Sequence, residues 1–157
     1  MESDTARALL GVWGTATEIW AVSAGGAILK HDGTSWSSVE SSTTALLSAV
    51  WGSSADDVWA VGEQGTISRY DGASWSLVAS GTTSSLRDVW GSSANDVWAV
   101  GDGGTILRFD GVAWSPVASV ATQQLTAVWG SSANDVWTVG YQDVLHWDGS
   151  AWMTVQD

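Results

Sequence analysis

The chain has 157 residues, among them thirteen Trp, eighteen Gly, a single Pro, a single Phe and no Cys, so a disulfide framework, a Cys-ligated zinc and a thiol nucleophile are all excluded. Seventeen acidic residues against five Lys and Arg give a net charge of −12. That charge argues against nucleic acid and against an anionic membrane surface, because both are bound by basic groups.

No apolar run approaches the ~18 residues of a membrane span, so membrane insertion is not expected. The opening MESDTARALL lacks the basic and apolar regions of a signal peptide. The expectation is one soluble domain without a cofactor. Its compartment is left open.

In chain order, one unit recurs four times. The first, residues 3–40, carries a worn copy of the motif, VWGTATEIW from Val12. The second, 41–79, carries VWGSSADDVW from Val50, and the third, 80–118, VWGSSANDVW from Val89. The fourth, 119–157, repeats VWGSSANDVW from Val128. Trp13, Trp51, Trp90 and Trp129 are spaced 38, 39 and 39 residues apart. Trp20, Trp59, Trp98 and Trp137 form a second column, and Trp36, Trp75, Trp114 and Trp152 a third. Trp147, the one indole outside these columns, stands where the other units have His31, Tyr70 and Phe109. The phasing predicts four whole units, the end ones irregular as in natural repeat arrays.

Each unit reads as four short strands. In the third these are Leu86–Gly91, Asp96–Gly101, Thr105–Phe109 and Ala113–Ala118, called A to D. The last two are joined by Asp-Gly in every unit, through Asp32, Asp71, Asp110 and Asp148, the strongest short hairpin signal. The glycine-rich B–C connection 101–104 suits a tight turn with positive φ. No segment holds a helical period, and Val97–Val100 is apolar without alternation, so strand B must be covered on both sides. Four-stranded sheets repeated at this length and stacked face to face form a β-propeller. The three Trp columns and the turn aspartates are expected to be structural, the indoles filling gaps between sheets.

Up-and-down connections divide the loops between two faces. The A–B loops and Asp-Gly turns make one face, ringed by carboxylates. The B–C hairpins and D–A connections make the other, rich in Ser, Thr, Gly and Gln. On this second face Glu63, Gln64, Asp102, Tyr141 and Gln142 are the candidate ligand-binding residues. The column Lys30, Arg69, Arg108 and His146 is expected to pair across strands with Glu18, Asp57, Asp96 and Asp135. Neither histidine column repeats as a metal or catalytic pair. The turn aspartates are expected to bond backbone N–H groups rather than perform acid–base or Ca²⁺ chemistry. With no phosphate loop, nucleophile triad or metal cluster, no catalysis is expected.

The stretch WAVGDGGTILRFDGVAWSPV (Trp98–Val117) resembles the blades of tectonin-type propellers, with their V-W-G-V…G-x-I-x-R-x-D-G-x-x-W pattern. It is also similar to photosystem-assembly-factor-type blades (W-A-V-G-x-x-G-T-I), and its Asp-Gly-x-x-Trp corner resembles the Asp-box of sialidase-like propellers, one residue shorter. The tectonin resemblance implies carbohydrate binding between blades. The units, however, are as alike in their loops as in their strands, as recent duplication without a binding site would leave them. The expected function is therefore a structural or protein-interaction scaffold, a duplicated propeller fragment that assembles by oligomerisation. The alternative is a lectin-type propeller with glycan sites between blades. An open four-blade arc would expose two apolar sheet faces. A homodimer joined through its terminal blades into an eight-bladed ring is expected, with a closed four-bladed monomer as the alternative.

Overall fold

In the computed structural model, residues 8–155 are described; the unit boundaries expected at residues 3 and 157 lie outside them. The chain folds into four antiparallel four-stranded sheets, each taken from consecutive strands. Blade 1 holds β1 (Leu9–Gly14), β2 (Ile19–Ser23), β3 (Ile28–His31) and β4 (Trp36–Val39). Blade 2 holds β5 (Leu47–Ser54), β6 (Asp57–Gly62), β7 (Ile67–Tyr70) and β8 (Trp75–Val78). Blade 3 is β9 (Leu86–Ser93), β10 (Asp96–Gly101), β11 (Ile106–Phe109) and β12 (Trp114–Pro116). Blade 4 is β13 (Leu125–Ser132), β14 (Asp135–Gly140), β15 (Val144–Trp147) and β16 (Trp152–Thr154). No helix among the described residues is long and apolar enough to cross a membrane.

Strand B behaves as its unbroken apolar run requires: every residue of β6 and β10 is buried. Strand A runs further than its sequence suggests. In blades 2 to 4 it continues through both serines of the GSS segment by way of a β-bulge. The bulge adds local twist and leaves a two-residue turn, such as Ala94-Asn95, in place of a six-residue loop. Short 3₁₀ turns at Glu63–Gly65 and Asp102–Gly104 close the B–C hairpins of blades 2 and 3.

The innermost strands stack in order: β1 on β5, β5 on β9, β9 on β13. Three apolar clusters fill the gaps between successive blades. Among the described residues, the innermost strand of blade 4 does not stack on that of blade 1, so the arc is open and the alternative of a ring closed within one chain is set aside.

Candidate functional site

Each gap between blades is built from the same parts. The strand-A indole of one blade lies edge-down on the strand-A glycine of the next. A Cβ added to Gly52 would sit 2.6 Å from Cη2 of Trp13, one on Gly91 2.5 Å from Trp51, and one on Gly130 2.6 Å from Trp90. Only glycine admits a ring this close. Further out, the fully buried strand-B indole packs between two rings of the following blade. Trp20 meets Tyr70 and Trp75, Trp59 meets Phe109 and Trp114, and Trp98 meets Trp147 and Trp152, with centroids 4.8–5.4 Å apart. Tilted and edge-on geometries of this kind suit the aromatic quadrupole.

The basic column completes each gap. Arg69 Nε donates to Asp57 at 2.7 Å, Arg108 to Asp96 at 2.7 Å, and Lys30 Nζ lies 2.9 Å from Glu18. These pairs are more sheltered than ordinary surface pairs, the Asp57 and Asp96 side chains being only 12% and 11% exposed. Asp57 and Asp96 also accept from the Ser53 and Ser92 hydroxyls. They therefore turn into the blades instead of ringing the loop face. Each cation lies over a ring of its own blade and one of the next, Arg108 being 4.9 Å from Trp98 and 5.6 Å from Trp147.

Among the described residues, the two ends of the arc carry the halves of this assembly without their complements. On blade 1, Val12 is 70% exposed and Trp36 46%, whereas their counterparts Val50, Val89, Val128, Trp75, Trp114 and Trp152 are all buried. Leu9, Leu10, Val12 and Trp36 line an apolar groove of about 340 Å³ there. On blade 4, Trp129 is 61% exposed, and Val139 is open where Val22, Val61 and Val100 are buried. Trp137 is only partly buried; it stacks on His146 at 4.2 Å and donates from Nε1 to Asp135. Gly14, the fourth glycine socket, is exposed.

The loop face gathers part of the residue set singled out from sequence. Arg87 binds Asp102 with two bonds, at 2.8 and 2.7 Å. That pairing holds the Asp102 carboxyl below its usual range and the Arg87 guanidinium above its own. Glu63 and Tyr141, from the hairpins of blades 2 and 4, lie within electrostatic reach of Arg87. Gln64 adopts φ 55°, left-handed for a residue with a Cβ, and its N–H donates to Ser85 Oγ at 3.3 Å. Gln142 is exposed on the blade 4 hairpin and joins no cluster.

Arg87 and its neighbour Asp88 escaped the sequence reading. Asp88 is largely buried, which pushes its carboxyl up, and it accepts N–H bonds from Val89 and Val128, tying blade 3 to blade 4. The signal was present: Ser48, Thr126 and Leu10 stand in the Arg87 column, and Ala49, Ala127 and Gly11 in that of Asp88. A pocket of about 220 Å³ between the D–A loops is lined by residues such as Thr82, Thr105, Ile106, Pro116 and Ser119, with no aromatic ring.

On the opposite face the four turn aspartates each hold their own hairpin. Asp32 accepts from the Thr34 and Ser35 N–H groups, Asp71 from Ala73 and Ser74, Asp110 from Val112 and Ala113, and Asp148 from Ser150 and Ala151. These bonds favour the ionised form, so all four carboxyls lie below their usual range, Asp148 at about 2.

No family model matches the sequence, and no curated protein does. Solved structures do. The chain is similar to YCF48 from Cyanidioschyzon merolae, at 18% identity and a TM-score of 0.72 over 87% of this chain and 49% of that one. It is similar to YCF48 bound to D1 peptide, at 18% identity and a TM-score of 0.74 over 98% of this chain and 56% of that one. The chain thus spans about half the length of the YCF48 structures it matches. The computationally designed Ika4 protein is 18% identical, with a TM-score of 0.76 and 92% of each chain covered. What the chain shares with these structures is the β-propeller fold.

Proposed function

We propose that the chain is a non-catalytic scaffold that completes an eight-bladed propeller with a second copy of itself and offers its loop faces to protein partners. The observation that carries this reading is the split interface at the two ends. Three internal gaps use one set of parts, and the ends hold the fourth set in two unjoined halves. Trp129 and Trp137 on blade 4 match the Gly14 socket and the His31–Trp36 ring pair on blade 1. A second copy supplies each missing half in the same register, and two-fold symmetry makes the two seams identical.

The absence of an enzymatic role is supported by the commitments of the charged groups. The turn aspartates hold backbone N–H groups, Asp57 and Asp96 hold arginines, and Asp102 holds Arg87. A protein or peptide partner is supported by the similar propeller that was solved with a peptide bound. A tectonin-like, lectin-type role would use the same loop face. The pocket there offers hydroxyls but no ring on which a sugar can stack, so scaffold assembly is the better-supported reading.

Sedimentation across a dilution series tests the proposal. A species of two chains that dissociates on dilution supports it. A single-chain species at every concentration overturns it. Binding of simple sugars at millimolar concentration, with no self-association, would favour the lectin reading instead.

A further inference from the structure

Among the described residues, the chain's two histidines occupy the two unjoined halves of the split interface, and no internal gap contains one. His146 stands in the cation column of blade 4. Its Nε2 lies 2.8 Å from Asp135, and its ring stacks on Trp137 at 4.2 Å and 24°. His31 stands in the receiving-ring column of blade 1, where Tyr70, Phe109 and Trp147 receive the cation of the preceding blade at 5.6–5.7 Å. It sits edge-on to Trp36 at 5.2 Å, and its Nδ1 accepts the Gly33 N–H at 3.1 Å.

Resting on the two-copy ring proposed above, we infer that each seam sets His146 of one copy over the partner's His31, so that the ring closes at neutral pH and opens in mild acid. With neutral rings, His146 and His31 stack as aromatic surfaces. Protonation changes both sides of the contact. An imidazolium at His31 has no lone pair left for the Gly33 N–H, because both ring nitrogens then donate. A second imidazolium at His146 faces it at ring-contact distance and repels it.

The charged groups around the pair compensate only one of the two charges. On blade 4, β14 supplies Asp135, already bonded to His146 and to Trp137 Nε1, while β16 presents the neutral Met153 opposite His146. On blade 1, β2 presents Ile19 and β4 presents Trp36 opposite His31. Asp32 follows His31 but spends its carboxylate on Thr34 and Ser35. Lys30 and Glu18 pair with each other, and Lys30 reaches over Tyr70 of blade 2, away from the seam.

The closed ring therefore binds fewer protons than the separated chains, and its dissociation constant rises as acid protonates the facing rings. Bulk charge predicts the opposite sign. The chain carries −12 at pH 7, and acidification towards its pI of about 4.1 relieves repulsion between copies and should tighten them.

Sedimentation of wild type and His31→Phe at about pH 7.5 and about pH 5.5 separates the effects, in roughly 0.15 M salt to screen distant charges. Phe is the residue blade 3 carries at this position (Phe109). Wild type is expected to dissociate roughly tenfold more readily per seam in acid, about a hundredfold for two seams. His31→Phe should change less than about threefold, since its ring cannot be protonated. A wild-type dimer indifferent to pH, or a variant as acid-sensitive as wild type, overturns the inference and leaves the two-copy ring standing. A single-chain species at both pH values overturns the ring and the inference together.

Discussion

Replacing Trp129 with alanine removes an indole that is 61% exposed in the single chain, so folding of that chain loses little. An indole presents about 250 Å², and roughly 150 Å² of Trp129 is therefore free. If the seam covers about half of that, as the half-buried Trp51 and Trp90 are covered, the burial is worth ~2 kcal/mol at roughly 25 cal/mol/Å². Two seams double the loss to about 4 kcal/mol, close to a thousandfold in the dimer dissociation constant. Trp90→Ala makes the same change at an internal gap, over Gly130. It should cost about 2–4 kcal/mol of folding stability, lowering Tm by roughly 5–10 °C. Sedimentation dilution series and thermal melts at two protein concentrations read both quantities. Wild-type Tm should rise with concentration while that of Trp129→Ala does not. An unchanged dimer constant in Trp129→Ala, or a concentration-independent melt as low as that of Trp90→Ala, would refute the equivalence of the free and internal indoles.

Further outcomes follow from the same geometry. Gly130→Ala places a Cβ 2.6 Å from Trp90 and should destabilise the chain by about 1–3 kcal/mol in urea unfolding, with no rescue from added protein. Gln64→Gly relieves a left-handed side-chain-bearing residue and should raise stability by up to about 1 kcal/mol. A lower Tm in that variant would show that the Gln64 side chain makes a contact that outweighs the strain. Asp148 has its carboxyl held down to about 2, from the usual 3.8, by the Ser150 hydroxyl and the Ala151 and Ser150 N–H groups. Because the folded value is the lower one, its stabilisation is complete above the unfolded value and disappears as pH falls towards 2. Asp148→Asn should flatten that acid limb in pH-dependent melts, and an unchanged limb would contradict the assignment.

The repeat made most of the fold legible. Columns of Trp, Asp-Gly and alternating charge recur because each blade meets the same neighbour, and the unbroken Val97–Val100 run declared its double covering. The pairing of Arg69 and Arg108 with Asp57 and Asp96 was also readable, since strands B and C are adjacent in register. What escaped was whatever departs from the column or depends on curvature. Arg87 and Asp88 occur once, and periodic reasoning averages them away. Gln64 was not recognised as left-handed, although Gly103 fills that place in blade 3. The reach of each cation over the next blade's ring depends on how sheets stack, which strand patterning does not encode. The same limit kept sequence from deciding whether four blades close on themselves.

The mass of the particle in solution tests the central claim most directly. Light scattering at neutral pH should report twice the chain mass of 16.4 kDa, in a form that Trp129→Ala converts to single chains. A particle of one chain mass at every concentration, indifferent to Trp129, would contradict the two-copy ring.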